Sequence, residues 1–183
     1  VLFRSLVFWA ARRLRNPVRW IADRSEAFLA DDQARDVSFS ASLALDGNGT
    51  FLALDVRYHV NLGAYVSGRS LGPITNIGGI AGVYRTPAIA AEGYGIFTHT
   101  LPTAPYRGAG RPDATFVIER LIDVAAAELG IDRMDLRQRN LIPATAMPFR
   151  TGLVFEYDCG DFRANMEAAA RRSEEHTSEL QSH

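Results

Sequence analysis

Chemistry concentrates in one stretch, Tyr106-Arg107-Gly108-Ala109-Gly110-Arg111-Pro112-Asp113. Two glycines allow backbone paths that other residues resist, and they let a bulky ligand come close. Peptide N–H groups at such a bend, beside a helix start, offer donors to an anionic or oxygen-rich group. Arg107 and Arg111 add fixed positive charge in a geometry suited to two-point contacts. On these residues alone the stretch reads either as a cradle for an anion or polar cofactor or as a structural turn. A phosphate loop is excluded, because its lysine followed by serine or threonine is missing. The dinucleotide fingerprint fails too, since Asp113 stands where its third glycine belongs.

Other reactive residue types read more plainly. His59 sits on the polar face of a strand pattern and His99 near a strand end, both expected as surface or satisfied histidines. Cys159 has no recognisable partner base and reads as a small, partly buried side chain. Glu119 and Glu128 read as surface or salt-bridging residues. Asp135 and Arg139 are spaced for an i,i+4 ion pair. Arg12, Arg13, Arg15 and Arg19 form a basic patch that reads as a solvated face or a partner contact.

The elements that must position the glycine stretch are legible from periodicity. Leu6 to Arg15 reads as the end of a helix, stopped by Pro17, and Val18 to Asp23 as a short strand. Val37, Phe39, Ala41, Leu43 and Leu45 alternate with small or polar residues, the pattern of a half-buried strand. Asp46-Gly47-Asn48-Gly49 has hairpin-turn chemistry. The return strand places Leu52, Leu54, Val56, Tyr58 and Val60 on one face. From Asn61 to Gly82 glycines and weak periodicity predict a long loop or connector. Strand character resumes from Tyr84 to Thr100, interrupted near Pro87. After the Arg107 stretch comes a helix with Val117, Leu121, Val124 and Ala125 on one face and Ile118, Ile122 and Leu129 beside them. Gly130 ends it, Asp132 caps a second helix reaching Asn140, and Phe162 to Arg171 is helical in pattern. The fold class expected is α+β.

With 183 residues, 47% hydrophobic, the chain can build one core, and a net charge of −1 speaks for neither nucleic acid nor an anionic membrane surface. A single cysteine excludes a disulfide framework and suits a reducing compartment. No apolar run approaches the roughly 20 residues that span a bilayer.

Thr103-Ala104-Pro105-Tyr106-Arg107-Gly108-Ala109-Gly110-Arg111-Pro112, continuing through Phe116-Val117-Ile118-Glu119-Arg120-Leu121, resembles the large subunits of the xanthine dehydrogenase and aerobic carbon monoxide dehydrogenase family. Pro17 to Arg24, Tyr84-Arg85-Thr86-Pro87, Glu128 to Asp132 and Arg137 to Pro143 resemble it in the same order. The resemblance implies a fragment of a molybdenum-cofactor-binding domain, with the metal held by pterin dithiolene sulfurs and the cofactor in its cytosine dinucleotide form. It implies FAD and [2Fe-2S] centres on partner subunits, hence a hetero-oligomer, and a cytoplasmic oxidoreductase. The reaction implied is oxidative hydroxylation of an aldehyde, heterocycle or similar small substrate, with water as oxygen source. Tyr106, Arg107, Gly108, Ala109 and Gly110 are then the cofactor-binding residues, and Ala109 lines the substrate pocket. In xanthine-oxidising relatives a stacking aromatic occupies the Ala109 position, so a purine sandwich is not expected here. In true carbon monoxide dehydrogenases a copper-carrying cysteine occupies the Gly108 position, so that chemistry is not expected either. The substrate-directed arginine of some relatives has no clear match; Thr75 lies near its expected place. A glycine-phenylalanine-glycine cofactor loop is expected before Leu6 and the catalytic glutamate beyond Arg171, which leaves no catalytic residue within the chain and predicts that it is inactive alone. The contrasting expectation is a non-catalytic α+β module binding another anionic ligand through the Gly108–Gly110 loop.

The two ends read as sequencing artefact. Arg172-Ser173-Glu174-Glu175-His176 can be encoded AGA TCG GAA GAG CAC, whose reverse complement translates as Val-Leu-Phe-Arg-Ser, the first five residues. The expected organisation is therefore adapter at 1–5, a partial molybdenum-cofactor-binding domain at 6–171, and adapter at 172–183.

Overall fold

The alternation of residues 37–60 builds the sheet that carries everything else. The computed structural model describes residues 2–181, with side-chain environments for residues 4–72 and 74–173. The chain divides into two compact units, Val1–Asp32 and Gln33–His183.

In the first unit, α1 (Leu2–Leu14) exposes Phe8, Trp9 and Leu14, and Arg13 lies over the Trp9 ring. Residues 18–23 are not the strand their hydrophobicity suggests. They lead into α2 (Arg24–Ala30), whose start is a capping box: Glu26 N–H donates to Asp23, and Asp23 N–H donates to Glu26. The Asp-x-x-Glu spacing that announces such a start was present in the sequence. Among the described residues the preceding run has no strand to pair with, so nothing holds it extended as a strand.

The second unit begins with the hairpin. Strand β1 (Val37–Leu45) pairs antiparallel with β2 (Phe51–Gly63), as the alternation requires. Asp46 closes the turn by accepting from the N–H groups of Asn48 and Thr50, and the Thr50 bond foremost holds its carboxyl below the usual range. An irregularity between Ala44 and Leu45 sets Leu45 opposite Phe51. That shift buries Phe51 and leaves Leu52 47% exposed, the reverse of strict alternation.

The connector 64–87 is less irregular than its glycines suggest. It contains α3 (Gly72–Thr75) and a 3-10 segment, Asn76–Ala81, that buries Ile80 completely. Thr75 turns its hydroxyl back onto the Gly72 carbonyl. The connector is the crossover that a parallel pair needs, because β3 (Ala88–Phe97) lies parallel to β2, giving the order β1-β2-β3.

Helix α4 (Arg111–Leu129) packs on β1 and the 3-10 segment. Its buried face is Ala114, Val117, Ile118, Ile122, Ala125 and Ala126, branched in the middle and small at both ends. Val124 and Leu129, expected inside, are 37% and 43% exposed. Clustered with the buried face in the core are Leu54, Val56, Tyr58, Val60, Ile80 and Leu136. Each fully buried aliphatic side chain contributes about 1.5–3 kcal/mol.

Gly130 ends α4, and Asp132 caps α5 (Arg133–Asn140) through Met134 N–H and Asp135 N–H. Arg137 joins the two helices, donating to Glu119 and Asp123 at 2.8 and 3.0 Å. Burial alone would lower the Arg137 pKa, but these carboxylates more than offset it and raise it. Tyr84 O–H also donates to Glu119, and burial together with that carboxylate lifts the phenol well above its ordinary range. Arg139 does not take the Asp135 pairing expected from spacing. Its guanidinium donates to the Asn48 carbonyl, tying α5 to the hairpin turn.

Strands β4 (Phe149–Arg150) and β5 (Glu156–Tyr157) form a small antiparallel pair, followed by α6 (Phe162–Gln181). Cys159 is exposed rather than partly buried, and the hydrogen bond with Asp158, its carboxylate charge and desolvation raise its thiol pKa. The elements confirm α+β, with one mixed and one antiparallel sheet.

Candidate functional site

The glycine stretch is held at its root by the end of β2. Gly63 has a left-handed φ of +77°, and any Cβ there would run into the Leu101 carbonyl. This close approach sets residues 101–104 against the strand. Thr103, 2% exposed, donates its hydroxyl to the Asn61 carbonyl, and its N–H reaches the Leu62 carbonyl. On the other side Gln33 pairs with Thr103: Gln33 N–H donates to Pro102 O and Ala104 N–H to Gln33 O, at 3.1 and 2.9 Å. The Gln33 side chain adds a bond to Leu101 O. Asn61 is the hub below, donating to Asp36 and Thr100 and accepting from Gly63 N–H and Thr98.

From this root, Tyr106 to Gly110 make a tight bend. Ala109 N–H donates to Tyr106 O at 2.7 Å and Arg111 N–H to Gly108 O at 3.1 Å. Three successive residues have positive φ: Gly108 at 93°, Ala109 at 50° and Gly110 at 90°. Glycine accepts this path and alanine tolerates it at a cost. A Cβ on Gly108 would also meet Pro112 Cγ at 2.5 Å and Cδ at 2.6 Å. Gly110 begins α4 with no side-chain cap.

The bend keeps its donors for something else. Among the described residues, the N–H groups of Arg107, Gly108 and Gly110 find no acceptor, and the Arg107 guanidinium has no ion-pair partner. Tyr106, Arg107 and Gly108 are exposed, Ala109 is half-buried and Gly110 buried. The structure therefore gathers the five predicted residues in one bend. Arg111 leaves the group: its guanidinium lies 6.0 Å from the Phe155 ring centroid, in a separate cleft with Gly82, Ile118, Glu119 and Tyr157. Among the described residues no cluster of His, Cys, Asp and Glu side chains could hold a metal ion. His59 stacks on Tyr94 on the exposed sheet face, outside the bend.

Sequence reasoning missed Gln33, Arg35 and Asn61. They lie outside the glycine stretch, and their partners are 68, 72 and 37–42 residues away or more locally shared. No local periodicity signals them.

These features define a class: an α+β unit whose strand-anchored, side-chain-poor bend opens at a helix N-terminus and offers main-chain donors beside a guanidinium. Residues 1–141 match the molybdopterin cofactor-binding domain, and the chain belongs to that family. It is 36% identical over 173 residues to the gamma subunit of the 6-hydroxypseudooxynicotine dehydrogenase complex of Paenarthrobacter nicotinovorans, covering 88% of this chain and 22% of that protein. It is 32% identical over 155 residues to the carbon monoxide dehydrogenase large chain of Hydrogenophaga pseudoflava, covering 81% of this chain and 19% of the relative. Among solved structures, quinoline 2-oxidoreductase from Pseudomonas putida 86 superposes with a TM-score of 0.83 at 32% identity, over 96% of this chain and 23% of that one. The chain thus spans about a fifth of the length of the relatives it matches. Among the described residues no helix is long and apolar enough to cross a membrane.

Proposed function

We propose that this chain is part of the large subunit of a molybdenum hydroxylase, with the Tyr106–Gly110 bend lying against the molybdenum and pterin. The observation that carries the reading is the set of three unpaired N–H donors and one unpaired guanidinium in a bend without side chains at two of its positions. Such donors suit an anionic, oxygen-rich group whose metal brings its own sulfur ligands. When bound, that group supplies oxygen transfer to a substrate carbon and carries the electrons away.

The chain's own residues would orient it. Main-chain N–H groups at 107, 108 and 110 would serve as its hydrogen-bond donors, and Arg107 would add charge. Ala109, half-buried, presents only a methyl group, which favours an aldehyde, heterocycle or similar small substrate over a stacked purine. Gly108 offers no sulfur, and Pro112 crowds the space a cysteine would need. This speaks against copper-dependent carbon monoxide oxidation. The cytosine dinucleotide form of the cofactor, FAD and [2Fe-2S] partner subunits, water as oxygen source and a cytoplasmic location complete the proposal. So do inactivity of the chain by itself and adapter-derived ends at 1–5 and 172–183.

The test is the longer subunit, produced with its neighbouring subunits from the source genome. Molybdenum bound near one atom per large subunit, lost or weakened in Arg107→Ala, is expected. A complete subunit that binds an anion but no molybdenum or pterin would establish the non-catalytic module instead. Source DNA unlike the adapter at both ends would remove the proposal about the termini.

A further inference from the structure

Arg35 lies outside every motif of the chain, yet it touches the bend twice. Its Nη2 donates to the Arg107 carbonyl at 2.6 Å, across 72 residues of sequence. Its guanidinium carbon also stands 5.5 Å from the centroid of the Tyr106 ring. We propose that Arg35 is a positioning residue, fixing the peptide between Arg107 and Gly108 so that Gly108 N–H points away into the open side of the bend. The inference rests on the reading of that bend as a cofactor cradle.

The backbone around Arg35 is built to deliver this contact. Two residues earlier Gln33 is paired to Thr103, and one residue later the Asp36 carbonyl accepts from Asn61 N–H at 3.0 Å. Held between these anchors, Arg35 takes a left-handed φ of 63°. Arginine adopts that region only where its surroundings impose it. Among the described residues no carboxylate pairs with the Arg35 guanidinium, although Asp36 and Asp113 line the same cleft. The charge is therefore spent on a carbonyl and an aromatic face.

The consequence follows from peptide geometry. The bond between residues 107 and 108 is trans, so the N–H of Gly108 points opposite to the carbonyl that Arg35 grips. A cation on that carbonyl polarises the peptide and strengthens its N–H as a donor. The turn bond from Ala109 N–H to Tyr106 O closes the bend around this peptide, and Gly108 brings no side chain to hold its carbonyl. Arg35 does so from outside the cradle.

The experiment uses the complete subunit with its partners. Amide hydrogen exchange is followed for Ala109 and Arg111, in molybdenum-loaded and molybdenum-depleted preparations. Arg35→Ala is expected to speed their exchange roughly tenfold, the equivalent of one charge-assisted hydrogen bond. Ethylguanidinium in solution is expected to restore protection to that variant. Arg35→Lys should fall between, since lysine donates a hydrogen bond but cannot lay a plane on Tyr106. In loaded enzyme, Arg35→Ala should also move the g-values of the molybdenum(V) resonance. Unchanged exchange and an unchanged resonance in Arg35→Ala would overturn the inference. Should that variant fail to fold, wild-type protection in Arg35→Lys overturns it, and partial loss supports it. A wild-type subunit without molybdenum defeats the cofactor reading, while the exchange result still decides whether Arg35 holds the bend.

Discussion

Gly108→Ala isolates the geometry on which the candidate site depends. At φ +93° an L-residue meets the left-handed penalty, about 1–2 kcal/mol. The new Cβ also lands 2.5–2.6 Å from Cγ and Cδ of Pro112, whose closed ring cannot swing aside. Forcing a methyl into such a space costs about 1–3 kcal/mol. Together these give about 2–5 kcal/mol, and for a chain of this size roughly 4–20 °C in Tm. The two contributions can be separated. With Pro112→Ala as background, the ring contact disappears and Gly108→Ala should cost only the backbone part, about 1–2 kcal/mol. Urea denaturation of wild type, both single variants and the double variant closes the cycle. The expected coupling between the sites is about 1–3 kcal/mol. A Gly108→Ala cost within about 0.5 kcal/mol of zero, the range of an ordinary surface change, would show that the bend relaxes freely. So would an equal cost with and without Pro112. Either result refutes the argument that this position is closed to a side chain, a copper-carrying cysteine included.

The bulge opposite Leu45 predicts opposite outcomes for neighbouring residues: Phe51→Ala should cost about 3–5 kcal/mol, and Leu52→Ala less than about 1 kcal/mol, measured by denaturant midpoint. Asn140 is 1% exposed and accepts from Phe51 N–H while donating to the Gly49 and Leu136 carbonyls. Asn140→Leu strands all three and should destabilise by on the order of 3 kcal/mol in the same assay. Asp132 has its pKa lowered by hydrogen bonds from Asp135 N–H and then Met134 N–H. A depressed carboxyl contributes stability above its unfolded pKa and loses it as pH falls through the folded one. Asp132→Asn should therefore flatten the stability profile on the acid side of the ordinary aspartate range; an unchanged profile in acid titration of the fold would contradict this.

The hairpin was readable because a period-2 pattern and a turn rich in Asp, Asn and Gly are local properties, and both strands appear where they predict. The helix after the glycine stretch was equally plain, since Gly110, Pro112 and Gly130 punctuate it. Val117, Ile118, Ile122 and Ala125 are buried as the periodicity predicts, while Val124 and Leu129 lie outside the buried face. Val124 and Leu129 are large and apolar, but the buried positions near the end of the helix are Ala125 and Ala126. Close packing there selected small residues, which hydrophobicity alone does not reveal. Val18 to Asp23 is not a strand because β propensity acts through neighbours, and among the described residues no strand pairs with it.

By itself the sequence determined the chemistry of the bend: which positions lack a side chain, where the guanidinium of Arg107 stands in the chain, and that a helix follows. Those are properties of residue type and short spacing. Only the tertiary structure decided what the bend is fastened to and what it leaves free. Gln33 and Asn61, through Thr103 and Leu101 at its root, and Arg35 converge on it from distant segments, and Arg111 turns away to Phe155. Which donors remain unpaired is a property of the completed hydrogen-bond network. Ala109 and Arg111 bond theirs within the bend, and among the described residues no distant segment brings an acceptor to the N–H groups of Arg107, Gly108 and Gly110.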